Sequence, residues 1–115
     1  MRPFGDLESV VMEHIWAADE PHTVRDVLAQ IDRDPPPAYT TILTVMDNLY
    51  RKGYLQRERA GRAFRYWATT DRADHAAHLM HEMLGQSGDA SVALLRFVDQ
   101  MSPAEIKGLK RALGD

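Results

Sequence analysis

The feature that most limits the fold of this chain is a helical stretch followed directly by two short β-rich runs. Apolar side chains recur at the helical period between residues 39 and 52, namely at Ile42, Val45, Met46 and Leu49. Gly53 is placed to end that helix. Residues 54–59 and 64–69 are rich in aromatic and other β-favouring side chains, and the four residues between them include Gly61. The order predicts a helix that leads into a β-hairpin.

Two further helices are predicted ahead of this pair. The first runs from Asp6, as its N-cap, to Ala17, and the second begins at Thr23, which forms a capping box with Asp26. The segment 32–37 contains three consecutive prolines and cannot lie inside a helix. Three helices and then a hairpin is the order of a winged helix-turn-helix domain.

The predicted third helix has a polar face opposite its apolar stripe. At about 100° per residue, six side chains fall within an arc of about 120°. They are Thr40, Thr41, Thr44, Asp47, Asn48 and Arg51. Short hydroxyl and amide side chains can approach base edges closely in a major groove. Asp47 would repel phosphate, and we expect it to pair with Arg51 at i+4. The face therefore favours DNA recognition over an ordinary solvated surface.

The predicted hairpin carries four arginines, at positions 57, 59, 62 and 65. We expect two of them only to protect an exposed sheet edge from aggregation. Arg62, beside Gly61 at the turn, is the strongest candidate for a contact with the DNA backbone. The alternative interpretation is a winged helix used only for protein contacts, in which the third helix would not bind DNA.

Charge is distributed unevenly along the chain. The net charge is −3, yet residues 38–72 carry seven basic and three acidic side chains. The positive charge thus lies where the DNA-contacting elements are expected. The absence of cysteine excludes disulfides and thiolate chemistry. With no apolar leader or membrane-length apolar run, we expect a cytoplasmic protein that does not insert into membranes.

Beyond residue 70 the pattern is entirely helical. We predict helices from a cap at Thr70 or Asp71 to Leu84, from Asp89 to Met101, and from a capping box at Ser102 and Glu105 onward. A segment of this size rarely buries a core alone. We therefore predict a dimerisation domain over 71–115 after a winged-helix domain over 5–70; packing of the tail on its own chain is the alternative. The predicted dimer contacts are Leu79, Met80, Met83, Leu94, Leu95, Val98, Met101, Ile106, Leu109 and Leu113.

The chain resembles the penicillinase repressors of the BlaI/MecI type over essentially its whole length. Four motifs carry the resemblance, in the order and spacing of the family: 5–16 (GDLESVVMEHIW), 23–28 (TVRDVL), 39–55 (YTTILTVMDNLYRKGYL) and 61–66 (GRAFRY). The resemblance implies a dimeric winged-helix repressor of antibiotic-resistance genes that binds a palindromic operator. It also implies release when a membrane-bound sensor protease, triggered by β-lactam, causes a cut in the tail.

The resemblance also implies roles for particular residues. Thr40, Thr41 and Thr44 match the family's groove-contacting positions, with Asn48 and Arg51 one and two turns later on the same face. Arg62 and Arg65 match its backbone-contacting wing. Relatives are cut at an Asn-Phe bond, where this chain has Arg96-Phe97. Copper-responsive members carry cysteine pairs in the tail, so the lack of cysteine excludes that branch.

The alternative to a protease-released repressor is a metal- or ligand-responsive regulator with the same DNA-binding domain. His75, His78 and His81 lie three residues apart on one predicted helix, and such a run could bind zinc or nickel. Ordinary surface or interface histidines, or a pH-sensitive dimer interface, explain the same run. We assign no metal and no cofactor. No nucleophile–base set or phosphate-binding loop is recognisable, so we predict that the chain is not an enzyme.

Overall fold

Apolar periodicity places three helices around one core. The structure, a computed structural model, describes residues 4–114. Its first three helices are α1 (Asp6–Ala17), α2 (Val24–Gln30) and α3 (Tyr39–Arg51). Eleven apolar side chains are buried between them and the sheet that follows. These are Val11, Met12, Ile15, Val24, Val27, Ile31, Ile42, Met46, Leu49, Leu55 and Tyr66.

The predicted helix ends need small corrections. Thr23 and Asp26 form the expected capping box of α2: each backbone N–H donates to the other side chain, at 2.9 and 3.1 Å. The N-cap of α1 is Gly5 rather than Asp6, because the Glu8 carboxylate one turn later accepts from the Gly5 N–H at 3.0 Å. Gly53, with φ of 89°, ends α3 as predicted.

A two-stranded antiparallel hairpin follows α3. Strand β1 (Leu55–Ala60) pairs with β2 (Ala63–Ala68) in a register that runs from Leu55 opposite Ala68 to Ala60 opposite Ala63. The connection is therefore two residues, Gly61 and Arg62, rather than the four predicted. His22 adds an isolated bridge to the other edge of β2, with backbone hydrogen bonds of 2.9 and 2.8 Å to Tyr66.

Three helices complete the described chain: α4 (Arg72–Gly85), α5 (Ala90–Asp99) and α6 (Pro103–Ala112). Asp71 caps α4 through the Asp74 N–H, and Ser102 and Glu105 form the predicted capping box of α6. Helix α5 ends two residues before the predicted Met101. Mainly α structure with one small hairpin confirms the predicted fold class.

The chain divides into two compact units, and the division falls inside α4. The first unit, residues 4–76 of the described chain, contains the whole buried apolar core. The second, residues 77–114, contains the rest of α4 together with α5 and α6. None of the helices in the described part of the chain has the length and apolar character that a membrane span requires.

The beginning of α4 is fastened within the first unit. The Trp16 indole N–H donates to the backbone oxygen of Thr70 at 3.0 Å. Arg72 forms an ion pair with Glu13 and lies over the Trp16 ring, 5.7 Å from its centre. A hydrogen bond, an ion pair and a cation–π contact from one helix therefore fix where α4 begins.

Candidate nucleic-acid interface

The polar face predicted for α3 is exposed. Burial of Ile42, Met46 and Leu49 on one side of the helix turns the opposite side to water. The four hydroxyl and amide side chains assigned to groove contacts are all exposed: Thr40, Thr41, Thr44 and Asn48. This side of α3 can therefore meet a duplex without rearrangement of the core.

One of the threonines is more restricted than the sequence indicated. The Thr44 hydroxyl donates to the backbone oxygen of Thr40 at 2.9 Å, one turn earlier in the helix. Its proton is used within the helix, while the oxygen lone pairs and the methyl group are left for other contacts. Thr44 is therefore suited to accept a hydrogen bond or to touch an apolar group.

The acidic side chain on this face is held by arginines. The Asp47 carboxylate accepts from Arg51 Nε at 2.8 Å, which confirms the predicted i, i+4 pair. Its other oxygen accepts from Arg57 Nη1 at 3.0 Å. Two guanidinium groups thus offset the negative charge that would otherwise repel phosphate. The second partner, from β1, was not predicted.

One of the four hairpin arginines is not an exposed edge residue. The side chain of Arg57 is only 21% exposed. The guanidinium lies 4.0 Å from the Tyr50 ring centre and 4.1 Å from that of Phe64. Arg57 donates hydrogen bonds to the Tyr66 hydroxyl oxygen and to the Asp47 carboxylate, and both raise the pKa of Arg57, so the group stays charged. The sequence signal for this enclosure was the presence of Tyr50 near the end of α3 and of Phe64 and Tyr66 in β2.

The turn of the hairpin presents its arginine to solvent. Gly61 adopts φ of 66°, a left-handed conformation that suits glycine in a two-residue hairpin turn, and Arg62 follows it, exposed. Arg65, also exposed, lies on the opposite face of β2 from the buried Tyr66. The positive charge of Arg65 also acts on Asp26 of α2. The Asp26 carboxylate accepts a hydrogen bond from the Thr23 N–H, which holds the pKa of Asp26 below its ordinary value, and the charge of Arg65 lowers it further at longer range.

Two apolar side chains of α3 are accessible, although the sequence did not predict their exposure. Tyr39 and Leu43 are each 39% exposed. The Arg25 guanidinium of α2 lies over the Tyr39 ring, 5.1 Å from its centre. For Leu43 the signal in the sequence was angular, since it lies about 100° from the centre of the polar arc. Tyr39 is the first residue of α3. The face therefore offers apolar as well as polar contacts.

The three histidines of α4 do not share one exposed surface. His75 is 7% exposed and stacks on Phe4 with ring centres 4.2 Å apart, while Trp16 and Tyr54 each lie 5.5 Å from it. His78 and His81 are exposed. Among residues 4–114, no three histidine, cysteine or acidic side chains are grouped so as to hold a metal ion. Packing among aromatic rings accounts for His75.

The tail helices leave their apolar side chains largely in contact with water. Leu79, Val98, Met101 and Ile106 are half-buried, and the other predicted dimer contacts are exposed. A groove of about 380 Å³ lies between α4 and α5 and is almost wholly apolar. Its lining is Met80, His81, Met83, Leu84, Ser87, Ala93, Leu94 and Phe97. Arg96 and Phe97, the predicted cleavage position, are both exposed within α5.

Three packed helices, a hairpin and an outward-facing third helix define a winged helix-turn-helix protein. The fold is similar to that of MepR, described as a transcription regulator of the Staphylococcus aureus multidrug efflux pump MepA. The TM-score is 0.53 at 18% identity, and the match covers 96% of this chain and 75% of that one. At this identity the likeness concerns the fold alone.

The sequence comparisons are more specific. Residues 4–115 match the penicillinase repressor family model. The chain is 39% identical over 114 residues to the transcriptional regulator BlaI of Mycobacterium tuberculosis, covering 96% of this chain and 83% of the relative. It is 30% identical over 113 residues to the penicillinase repressor of Bacillus licheniformis, covering 95% and 88%. The chain belongs to the penicillinase repressor family. It is a DNA-binding transcriptional repressor and not an enzyme, as the sequence predicted.

Proposed function

We propose that the protein is a dimeric repressor that binds a palindromic operator through α3 and the hairpin of each protomer. The observation that carries the proposal is the exposed hydroxyl and amide face of α3, with an exposed arginine at the turn of the hairpin that follows it. A helix can enter the major groove with such a face while arginines beside it neutralise phosphates.

Base contacts are assigned to the short polar side chains of α3. Thr40, Thr41 and Asn48 can donate to and accept from base edges. Thr44, with its proton bound to the Thr40 backbone oxygen, would accept or would pack its methyl group on a thymine methyl. Leu43, exposed at the border of the same face, is a second candidate for thymine methyl contact.

Contacts with the DNA backbone are assigned to arginines. Arg51 reaches outward from the end of α3 with its side chain 74% exposed, although its Nε is bound to Asp47. Arg62 at the hairpin turn and Arg65 on β2 complete the set. Guanidinium groups suit this role because they bind phosphate oxygens through two parallel hydrogen bonds.

The tail is proposed to bind a second copy of the same chain. Three helices with apolar stripes and no buried side chain among residues 77–114 expose a surface that a partner tail would cover. Two-fold pairing would set two α3 helices one or two helical turns of DNA apart. A matching operator would be a palindrome with that spacing.

Release of the operator would follow from loss of the dimer. Linkage of two DNA-binding units multiplies affinity by an effective concentration, worth about 10²–10⁴-fold. A cut at Arg96-Phe97 would divide α5 in the middle of the proposed dimer surface, and a membrane-bound sensor protease would supply it. The genes controlled would be those of β-lactamase or related antibiotic resistance, and the site of action would be the cytoplasm.

Footprinting of the purified protein on the promoter of its own gene, and of neighbouring resistance genes, tests the proposal. We expect a symmetric protected region with two half-sites. If six to eight phosphates are neutralised per dimer, the logarithm of affinity should fall against the logarithm of salt concentration with a slope of about −5 to −7. Uniform, sequence-independent protection would contradict operator recognition, and an unsymmetric single site would contradict the dimer.

A further inference from the structure

Arg57 connects the third helix to both strands of the hairpin. Its Nη1 donates to Asp47 of α3 at 3.0 Å and lies 3.4 Å from the Tyr66 hydroxyl of β2. Its Cζ also lies over the rings of Tyr50 of α3 and Phe64 of β2, 4.0 and 4.1 Å from their centres. One side chain of β1 therefore touches two residues on each neighbouring element.

The combination of these contacts suits arginine better than lysine. A guanidinium is planar, so it can stack on aromatic rings while its N–H groups remain free to donate within its plane. A lysine ammonium keeps the charge but offers neither the plane nor the fork of donors. The low exposure of Arg57 weakens competition from water, which strengthens both the ion pair and the cation–π contacts.

Asp47 extends the connection to the surface assigned to DNA. One carboxylate oxygen holds Arg57, and the other accepts from Arg51 Nε at 2.8 Å. Arg51 is largely exposed, whereas Arg57 is enclosed. The carboxylate thus lies between an outward arginine of α3 and an inward arginine of β1.

We propose that Asp47 and Arg57 are positioning residues that fix the hairpin relative to α3, so that both elements meet the duplex as one rigid surface. Arg57 would touch no base and no phosphate. The proposal rests on the proposed function in assigning DNA contacts to α3 and to the turn of the hairpin. It accounts for an acidic residue on a face that meets a polyanion.

Positioning should affect operator binding and non-operator binding differently. Non-specific binding depends mainly on the number of phosphates neutralised and tolerates variation in the angle between elements. Operator binding needs base contacts from α3 and backbone contacts from the hairpin at the same time, so a loose hairpin loses the benefit of preorganisation. A charge-preserving change at Arg57 should therefore lower the ratio of the two affinities.

The test uses Arg57→Lys with Arg59→Lys as its matched control. Both changes replace arginine by lysine on the same strand, but Arg59 is exposed, and its guanidinium lies 5.2 Å from the Phe64 ring centre, farther than the 4.1 Å of Arg57. Dissociation constants are measured for a duplex that carries the footprinted operator and for a scrambled duplex of equal length. Amide hydrogen exchange of residues 58–65 is measured on the free, full-length proteins.

For Arg57→Lys we expect operator affinity to fall about tenfold, with scrambled-duplex affinity within about twofold of the parent. Hairpin amides should exchange about tenfold faster, since they open more often. Arg59→Lys should leave both quantities unchanged. Asp47→Asn removes a negative charge from the DNA face and so should raise the affinity for both duplexes, but it should lower the operator-to-scrambled affinity ratio as Arg57→Lys does. The double variant Asp47→Asn/Arg57→Lys should lower that ratio no further than either single variant, because the two residues act as one unit.

An Arg57→Lys protein with parental hydrogen exchange and a parental affinity ratio would overturn the proposal. Equal losses for both duplexes would overturn it too, since they would make Arg57 a phosphate contact. Failure of the proposed function looks different: the parent itself would bind the operator and the scrambled duplex alike. Hydrogen exchange would then decide on its own whether Asp47 and Arg57 fix the hairpin.

Discussion

The two units of this chain differ in whether they bury their apolar side chains. In the first unit, eight side chains are less than 2% exposed, and helices and strands cover one another. In the second, no described side chain from 77 to 114 is buried, and residues as large as Leu95 and Leu113 are 67% and 73% exposed. Yet α5 and α6 are as well capped as the helices of the first unit.

The contrast shows that good local signals do not make a core. Caps and helical periodicity decide where a helix begins and which side is apolar, but burial requires a second surface of matching shape. The first unit contains that surface within itself. The second has three stripes that a partner would have to cover, and this supports the proposed dimer.

The largest expected effect comes from a charge placed on the exposed stripe of the tail. Leu95→Glu should prevent dimer formation, because a carboxylate would have to be buried without a partner. Operator affinity should then fall by about 10²–10⁴-fold as the two DNA-binding units become independent. Sedimentation velocity measures the oligomeric state, and gel-shift titration measures the affinity.

Ser91→Glu is the control, since it adds the same charge to an exposed position in the first turn of the same helix. It should leave both measurements unchanged. A Leu95→Glu protein that is still dimeric would show that the apolar stripe of the tail is not the dimer interface. The exposure of apolar side chains in the second unit would then not be explained by a dimer.

A truncation in the core of the first unit should have the next largest effect. Met46 is fully buried and Met83 is 62% exposed, so the same change to alanine compares the two units directly. In the monomeric Leu95→Glu background, Met46→Ala should lower the free energy of unfolding by about 2–5 kcal/mol, and Met83→Ala by less than about 0.5 kcal/mol. Urea denaturation gives both values; similar losses would imply that the tail has a core of its own.

Loss of one groove contact should have a smaller effect. Asn48→Ala removes an exposed amide from α3 and should cost about 1–3 kcal/mol of operator binding while leaving unfolding almost unchanged. The exposed Gln56 on β1 is an amide outside the predicted contacts, and Gln56→Ala serves as the control. Operator affinity equal to that of the parent for Asn48→Ala would favour a winged helix that contacts protein rather than DNA.

The smallest effect concerns the capping box of α2. The pKa of Asp26 is lowered in the folded protein, so its carboxylate stabilises the fold above the ordinary aspartate value of 3.8, and the contribution is lost as pH falls through the lower folded value. Asp26→Asn should thus be slightly less stable than the parent at about pH 7 and equal to it at about pH 2. A gap in stability that persists in acid would show that charge is not the cause.

Most of the element order was predictable because its signals are local. Thr23 with Asp26 and Ser102 with Glu105 form the capping boxes that their spacing predicted. Gly53 ends α3 through a left-handed conformation, as its position indicated. The first cap was wrong because Asp6 and Gly5 both suit an N-cap, and only the reach of the Glu8 carboxylate back to Gly5 separates them.

The candidate site was predictable only in outline. Helical periodicity correctly predicted that Thr41, Thr44 and Asn48 are exposed, because burial of the apolar stripe leaves the opposite side of the helix in water. Periodicity could not tell that the Thr44 hydroxyl is bound to the Thr40 backbone oxygen, because that depends on a rotamer. Nor could it tell that His75 packs on Phe4, which is distant in sequence.

By itself the sequence determined the kind and order of the elements and the side that each turns inward, because caps, turns and periodicity act over a few residues. Only the tertiary structure decided which of four chemically equal hairpin arginines is enclosed. Arg57 is enclosed because Tyr50, Phe64 and Tyr66 come together around it from two separate elements, with Asp47 within hydrogen-bonding distance. Such an enclosure depends on distances between elements, and no local pattern specifies those.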